Sequence, residues 1–286
     1  MRIAVASGKG GTGKTTVSVN LFHYLNNWTG IKTLLIDCDV EEPNASFFIK
    51  QKQLKYERPV YRLVPEIDTL TCTFCKKCSD WCSFNALTII SSQKIAEVHE
   101  DLCHSCGACL VACNENAITE HSSLLGRLSC YAVEPNSEFI EGRLNIGCSF
   151  QTLLIKHVKE EVPNEYSIIL FDAPPGTSCP VVQTIAETDY VIVVTEPTPF
   201  GLHDLKLTIK VIKQLSIPFG VIINKAGYGT TEVKEYLKLN QIRLLGEIPF
   251  SKEYAQAYSN GDILNDISPE ILTIYRQIAN EILTFA

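Results

Sequence analysis

The sequence predicts an α/β fold: a mostly parallel sheet with helices on both faces, interrupted by a small cysteine-rich module. Three observations carry that prediction. Short apolar runs alternate with helical patterns along most of the chain, a glycine-rich loop joins the first run to the first helix, and eight of the twelve cysteines crowd into residues 72–113.

The strand candidates are Arg2 to Ala6, Lys32 to Ile36, Ser167 to Phe171, Tyr190 to Val194, Phe219 to Ile223 and Arg243 to Ile248. They are rich in Ile and Val, and several lack polar alternation, as expected of strands covered on both faces. Between them lie helix candidates at Thr15 to Leu25, Ser149 to Glu160, Pro180 to Glu187, Leu202 to Leu215 and Thr231 to Leu239. Strand–helix alternation of this kind builds a parallel sheet. At the end of the chain, from Pro269 to Phe285, Ile271, Ile274, Tyr275, Ile278 and Ile282 share one helical face and predict a helix packed on the core.

At 286 residues, 45% of them hydrophobic, the chain has material for about two domains and a sizeable core. A net charge of −7 gives no general attraction for nucleic acid or anionic lipid, so neither is an expected partner. The first apolar run is too short for a signal peptide, and no stretch approaches the ~20 residues of a membrane span. A cytoplasmic location is therefore expected. In a reducing compartment, dense cysteines point to metal or redox chemistry rather than disulfides.

Gly8-Lys9-Gly10-Gly11-Thr12-Gly13-Lys14-Thr15 fits the phosphate-loop pattern G-x-x-x-x-G-K-[ST] at every fixed position. Glycines let successive backbone N–H groups face phosphate oxygens, and the helix that follows adds its positive end. Lys14 is expected to reach the β- and γ-phosphates of ATP, Thr15 to bind Mg²⁺, and Thr16 to touch the α-phosphate.

The run Ser7-Gly8-Lys9-Gly10-Gly11-Thr12-Gly13-Lys14-Thr15-Thr16 resembles the deviant Walker A motif of the MinD/ParA superfamily, which includes the nitrogenase iron protein and Mrp-type iron–sulfur carriers. The resemblance implies that Lys9 reaches the nucleotide of a partner subunit, and hence a nucleotide-dependent homodimer. Leu35-Ile36-Asp37-Cys38-Asp39 resembles the first switch, implying that Asp37 holds Mg²⁺ through water and that Asp39 orients the attacking water. Asn44 stands where the family often has a switch asparagine. The run from Ile168 to Gly176 resembles Walker B and the second switch, with Asp172 near Mg²⁺. Ile222-Ile223-Asn224-Lys225 resembles the adenine-recognition segment, with Asn224 reading the base. No basic helix of the kind that anchors some MinD-like ATPases to membranes ends this chain; Arg276 is the one cation there, and no membrane anchor is expected.

From about Pro65 to His121 an internal repeat breaks the alternation. Cys72, Cys75, Cys78 and Cys82 recur 31 residues later as Cys103, Cys106, Cys109 and Cys113, and Asn85-Ala86-Leu87-Thr88 recurs as Asn116-Ala117-Ile118-Thr119. C-x₂-C-x₂-C-x₃-C, twice, is the pattern of bacterial ferredoxins with two 4Fe–4S clusters. Zinc sites use separated ligand pairs, which this spacing fits poorly. Likeness to dicluster ferredoxins implies a crossed arrangement: Cys72, Cys75, Cys78 and Cys113 on one cluster, Cys103, Cys106, Cys109 and Cys82 on the other. Ser83 and Asn114 stand where that pattern usually has proline. The organisation expected is thus residues 1–64 and 122–286 as the ATPase domain, with residues 65–121 inserted.

Nearly the full length resembles MinD-superfamily ATPases carrying a dicluster insert. The activity implied is ATP hydrolysis coupled to electron transfer. An iron–sulfur or metal-cofactor carrier, and a positioning switch with structural clusters, stand as alternatives, and a redox or metal-cofactor client protein is an implied partner. Cys179 lies on the second switch and is either a bridging or metal-accepting thiol or a small buried one; Cys38, Cys130 and Cys148 read as buried thiols. His104 reads as a polar loop residue, His203 as a helix-start residue, and Lys76 with Lys77 as a solvated pair.

Overall fold

A computed structural model describes residues 1–163, 165–262 and 269–284. The strands are β1 (Arg2–Ala6), β2 (Thr33–Asp37), β3 (Lys52–Ile67), β4 (Leu87–Ile90), β5 (Ile95–Val98), β6 (Ile118–Val133), β7 (Ser137–Leu144), β8 (Ile168–Asp172), β9 (Tyr190–Thr195), β10 (Phe219–Ala226) and β11 (Leu244–Pro249). The helices are α1 (Lys14–Tyr24), α2 (Lys77–Asp80), α3 (Ala108–Ala112), α4 (Gln151–Glu160), α5 (Cys179–Ile185), α6 (Pro199–Gln214), α7 (Glu232–Leu239), α8 (Lys252–Ser259) and α9 (Pro269–Leu283).

The chain forms two compact units, one of residues 1–58, 128–143 and 151–286, the other of residues 59–127 and 144–150. In the larger unit, strands run in the order β11-β10-β9-β1-β8-β2-β7 and the sheet continues into β6 and β3. Each neighbouring pair from β11 to β7 is parallel. β6 and β7 are adjacent strands joined by residues 134–136, a connection short enough only for an antiparallel turn.

The central strands are apolar because both their faces are covered. Every residue of β2, β8 and β9 is buried. Leu34, Leu35 and Ile36 lose all solvent contact, each worth about 2 kcal/mol relative to exposure. α9 buries Ile271, Tyr275, Ile278 and Ile282, and packs beside β11 and α1, as its apolar stripe requires. Phe285 of that expected helix lies outside the described residues. Among the described residues no helix is long and apolar enough to cross a membrane.

β3, β6, β7 and α8 are absent from the sequence-based reading. β3 runs five successive exposed residues, Gln53 to Glu57, and α8 buries none of its residues, so neither shows the apolar periodicity that marks an element.

The smaller unit is built on its repeat. The hydrogen bond from Asp68 N–H to Ala117 C=O, 2.8 Å, is matched 31 residues on by His99 N–H to Ala86 C=O, also 2.8 Å. Backbone in the left-handed region recurs in step: Phe74 with Ser105, Lys76 with Gly107, and Asn85 with Asn116. α2 and α3 follow Lys76 and Gly107, and the antiparallel pair β4–β5 links the halves.

Candidate functional site: phosphate loop and cysteine cavities

The phosphate loop leaves the C-terminal end of β1 at the centre of the sheet, where open α/β sheets bind ligands. Gly13 has φ of +91° and opens directly into α1. A Cβ there would stand 2.1 Å from Asn224 Nδ2, so only glycine allows this approach. Asn224 in turn donates to the Thr12 carbonyl at 2.8 Å. The residue expected to read the base is thus tied to the loop expected to hold the phosphates.

Lys14 is buried and its ammonium lies 2.9 Å from Asp172 Oδ1, which also accepts from the Ser18 hydroxyl at 2.8 Å. Burial pushes the Lys14 pKa down, but the Asp172 carboxylate beside it, with Asp37 and Asp39 further off, holds it above the ordinary lysine value. Asp37 is fully buried, and its carboxylate accepts from the backbone N–H groups of Asp39, Asn44 and Ala45, each at 3.0 Å. Burial, and then the nearby Asp172 carboxylate, push Asp37 up to about 7. The second oxygen of Asp172 and the Thr12 hydroxyl are buried with no hydrogen-bond partner among the described residues. A buried carboxylate oxygen left open beside a second buried carboxylate is the donor set a hydrated Mg²⁺ needs, so these residues fit the metal. Asp39 is half-buried, its carboxyl raised first by burial.

Lys9 lies 3.1 Å from Glu196 Oε2, while Lys225 donates to the other oxygen of Glu196 and to the Gly11 carbonyl at 3.1 Å. Glu196, Lys225 and Ser18 were not singled out as functional by the sequence. Glu196 lies in the run Thr195 to Asp204, which resembles the loop after the family's second switch but gives the glutamate no role; Ser18 belongs to no short motif, and Lys225 stands only as part of the adenine segment. A cavity of about 250 Å³ opens beside the loop, lined by Gly11, Gly13, Asn224, Phe250, Tyr254 and Tyr258 among others. Two tyrosines and a phenylalanine give it flat apolar walls suited to a purine. The signal that could have found it is the Pro249-Phe250 pair at the end of β11.

In the smaller unit, two further cavities hold the cysteines. Cys72, Cys75, Cys78 and Cys113 all line the first; Cys82, Cys103, Cys106 and Cys109 all line the second. Each cavity therefore takes three cysteines from one repeat and the fourth from the other. Backbone N–H groups point at sulfur in both halves: Phe74 to Cys72 and Ser105 to Cys103 at 3.4 Å, and Ala86 to Cys82 at 3.3 Å. Cys75 and Cys106 stay exposed, and Cys78 and Cys109 are buried. Among the described residues no three His, Cys, Asp or Glu side chains converge tightly enough for a single metal ion. A 4Fe–4S core spreads four thiolates around itself, and the donor set of each cavity fits that wider requirement.

Of the remaining thiols, Cys38 and Cys130 are buried, and burial pushes Cys130 up to about 11. Cys148 is only half-buried, correcting the expectation of a buried thiol there, and Cys179 is exposed at the first position of α5, against the buried one of its two alternatives. Pro180 is the second residue of α5, in the first turn where its missing N–H costs no helical hydrogen bond. His104 stacks on Phe84 with centroids 3.7 Å apart and meets Phe150 edge-on. His203 lies inside the first half of α6.

A central strand, a phosphate loop and two buried carboxylates at its mouth define a P-loop nucleotide-binding α/β protein. Within that class the chain belongs to the CobQ/CobB/MinD/ParA nucleotide binding domain family, whose pattern matches residues 3–264. It is 34% identical over 265 residues to an uncharacterised protein of Methanocaldococcus jannaschii, covering 92% of this chain and 90% of that one. It is also 24% identical to an iron-sulfur cluster carrier protein of Aquifex aeolicus, over 97% of this chain and 65% of the relative. In structure it is similar to the cell division ATPase MinD of Pyrococcus furiosus, with a TM-score of 0.61 and 19% identity across 100% of this chain and 99% of the other. MinD of Pyrococcus horikoshii, complexed with Mg-ADP, gives 0.61 at 18% identity, over 98% of this chain and 95% of that chain.

Proposed function

We propose that this protein is an ATPase whose nucleotide state governs electron transfer through two 4Fe–4S clusters, held by residues 65–121 and acting in a nucleotide-dependent homodimer. The observation that carries this reading is the crossed sharing of eight cysteines between two cavities. When bound, two such clusters supply a one-electron path between a donor and an acceptor.

The chain's own residues perform the nucleotide chemistry. Gly8, Gly10, Gly11, Thr12 and Gly13 wrap the phosphates with backbone N–H groups, and Lys14 leaves Asp172 for the β/γ-phosphate oxygens. Thr15 and Asp172 hold Mg²⁺, with Asp37 behind a water. Thr16 contacts the α-phosphate. Asn224 reads the base against the wall of Tyr254 and Tyr258. Asp39 orients the attacking water, and Lys9 crosses to the partner's nucleotide.

Redox titration followed by electron paramagnetic resonance tests the coupling, run with ADP and with ATP on an Asp39→Ala variant that retains ATP. Coupling of ~1–3 kcal/mol between sites corresponds to a midpoint shift on the order of 50–130 mV. Identical midpoints, with nucleotide affinity unchanged on reduction, would rule out thermodynamic gating.

A second reading, transfer of iron–sulfur clusters to a client, draws on the name of the Aquifex relative and on the exposed Cys179 thiol. In that case Cys179→Ser abolishes cluster transfer to an apo-ferredoxin and leaves the midpoints alone.

A further inference from the structure

Arg62 is a buried cation without a counter-ion. It is only 6% exposed, and among the described residues no carboxylate lies within ion-pairing distance of its guanidinium. Its donors go instead to the Cys103 carbonyl at 2.8 Å and the Glu100 carbonyl at 3.1 Å, and its plane lies 4.4 Å from the Phe150 ring centroid. Nε has no hydrogen-bond partner among the described residues. A buried charge left unpaired costs several kcal/mol, so proteins place one only where something negative answers it. Here the answering group adjoins it: Cys103 lines the second cysteine cavity, and four thiolates around an iron–sulfur core carry net negative charge.

The repeat supplies an internal control. Thirty-one residues after Arg62 stands Gln93, neutral and exposed. The same comparison holds at a second position. Ser105 lines the second cavity with a buried hydroxyl that has no partner, whereas its counterpart in the first half is Phe74. The carboxylates balance, since Glu115 lines the first cavity and Glu120 the second. Lys76 and Lys77 line the first cavity, but both are exposed and their charge is screened by solvent. Ser105 thus brings a buried hydroxyl, without a partner among the described residues, to the wall of the second cavity, and Arg62 backs that wall through the Cys103 carbonyl, whereas their repeat counterparts are a phenylalanine and an exposed amide.

We infer that Arg62 and Ser105 are positioning residues that make the two clusters unequal, raising the potential of the one held by Cys82, Cys103, Cys106 and Cys109. The added electron increases negative charge at that site, so the reduced state gains more from Arg62 than the oxidised state does. Nearby charge and hydrogen bonds to the ligand set are the established levers on such potentials. One electron given to the module by a one-electron donor rests on the Cys103 side, which fixes the direction of flow from the first cluster to the second. This inference rests on the two-cluster reading above.

The test is a spectroscopic redox titration of the reconstituted full chain, with iron and sulfide counted on every sample. Wild type should give two resolved reduction steps. Arg62→Gln should lower the upper step by about tenfold in equilibrium constant, ~59 mV, and leave the lower one in place. Ser105→Ala, which removes one hydroxyl and little packing, should lower the same step by about threefold, in line with one net hydrogen bond. Arg62→Lys should restore most of the shift by restoring charge. Full iron with both steps unmoved, or both moved together, overturns the inference and leaves the two-cluster reading standing. Wild-type protein that takes up no iron overturns both. Should Arg62→Gln fail to fold, Ser105→Ala and Arg62→Lys decide the matter.

Discussion

The ammonium of Lys9 stands 3.1 Å from Glu196, and the same carboxylate is held from its other oxygen by Lys225. On the proposed reading Lys9 must leave this contact to reach a partner's nucleotide, so Glu196 holds it back in the single chain. Lys9 is 35% exposed at its side chain, which limits the pair to about 1 kcal/mol. Glu196→Gln should therefore lower the protein concentration needed for ATP-dependent dimerisation by about fivefold, read by sedimentation velocity. Lys9→Ala should leave nucleotide affinity within about threefold and abolish turnover. Wild-type hydrolysis by Lys9→Ala would remove the trans-acting role.

The same carboxylate has a signature in acid. Burial works against it, but hydrogen bonds from Lys225 and Lys9 hold the Glu196 carboxyl below its ordinary value of 4.5. A depressed folded-state pKa adds stability above the unfolded value and loses it as pH falls through the folded one. The gap in melting temperature between wild type and Glu196→Gln should stay constant above pH ~5 and close progressively below 4.5. A gap that widens in acid would show that the ion pairs do not hold Glu196 ionised.

Lys14 and Asp172 form a buried pair at 2.9 Å. Removing one partner leaves the other unanswered, a change that costs about 3 kcal/mol. Lys14→Ala should lose both productive Mg-ATP binding and that much stability in urea denaturation. Lys14→Met combined with Asp172→Leu should recover most of the stability and none of the binding. Recovery of neither would place the loss in loop conformation instead.

Gly13→Ala addresses the loop geometry. The added methyl would meet Asn224 Nδ2 at 2.1 Å, in a backbone conformation of φ +91° that disfavours any side chain. Strain of ~1–3 kcal/mol should appear as a fall in nucleotide affinity of at least about tenfold, measured by calorimetry. Asn224→Gly in the same chain should relieve part of it by removing the clash. An unchanged affinity in Gly13→Ala would mean the loop can rearrange freely.

The parts of this protein that are legible in sequence are those governed by local rules. The phosphate loop needs glycine at fixed positions, and the sheet centre needs apolar runs such as Thr33–Asp37 because both faces are covered. The cysteine spacing marks the eight residues that line the two cavities, and the crossed partition was implied by likeness to ferredoxins. What escaped depends on partners remote in sequence. Glu196 lies 187 positions from Lys9 along the chain, and Tyr254 comes to the loop on α8, a helix without an apolar stripe. β3 exposes Gln53 to Glu57 in succession, and β6 opens on exposed Thr119, His121 and Ser122 before its buried half, so neither shows a regular alternation. Arg62 carries no signal in the sequence; its burial and its carbonyl partners are products of the fold.

On the proposed reading the two cysteine cavities are iron–sulfur sites. Anaerobically purified or reconstituted wild-type protein, assayed for iron and acid-labile sulfide and followed by electron paramagnetic resonance, tests it most directly. Two clusters should give about eight irons and eight sulfides per chain, a broad thiolate-to-iron absorption that bleaches on reduction, and the interacting signals of two reduced 4Fe–4S centres. Colourless protein carrying stoichiometric zinc on these cysteines, with no iron taken up on reconstitution, would contradict it.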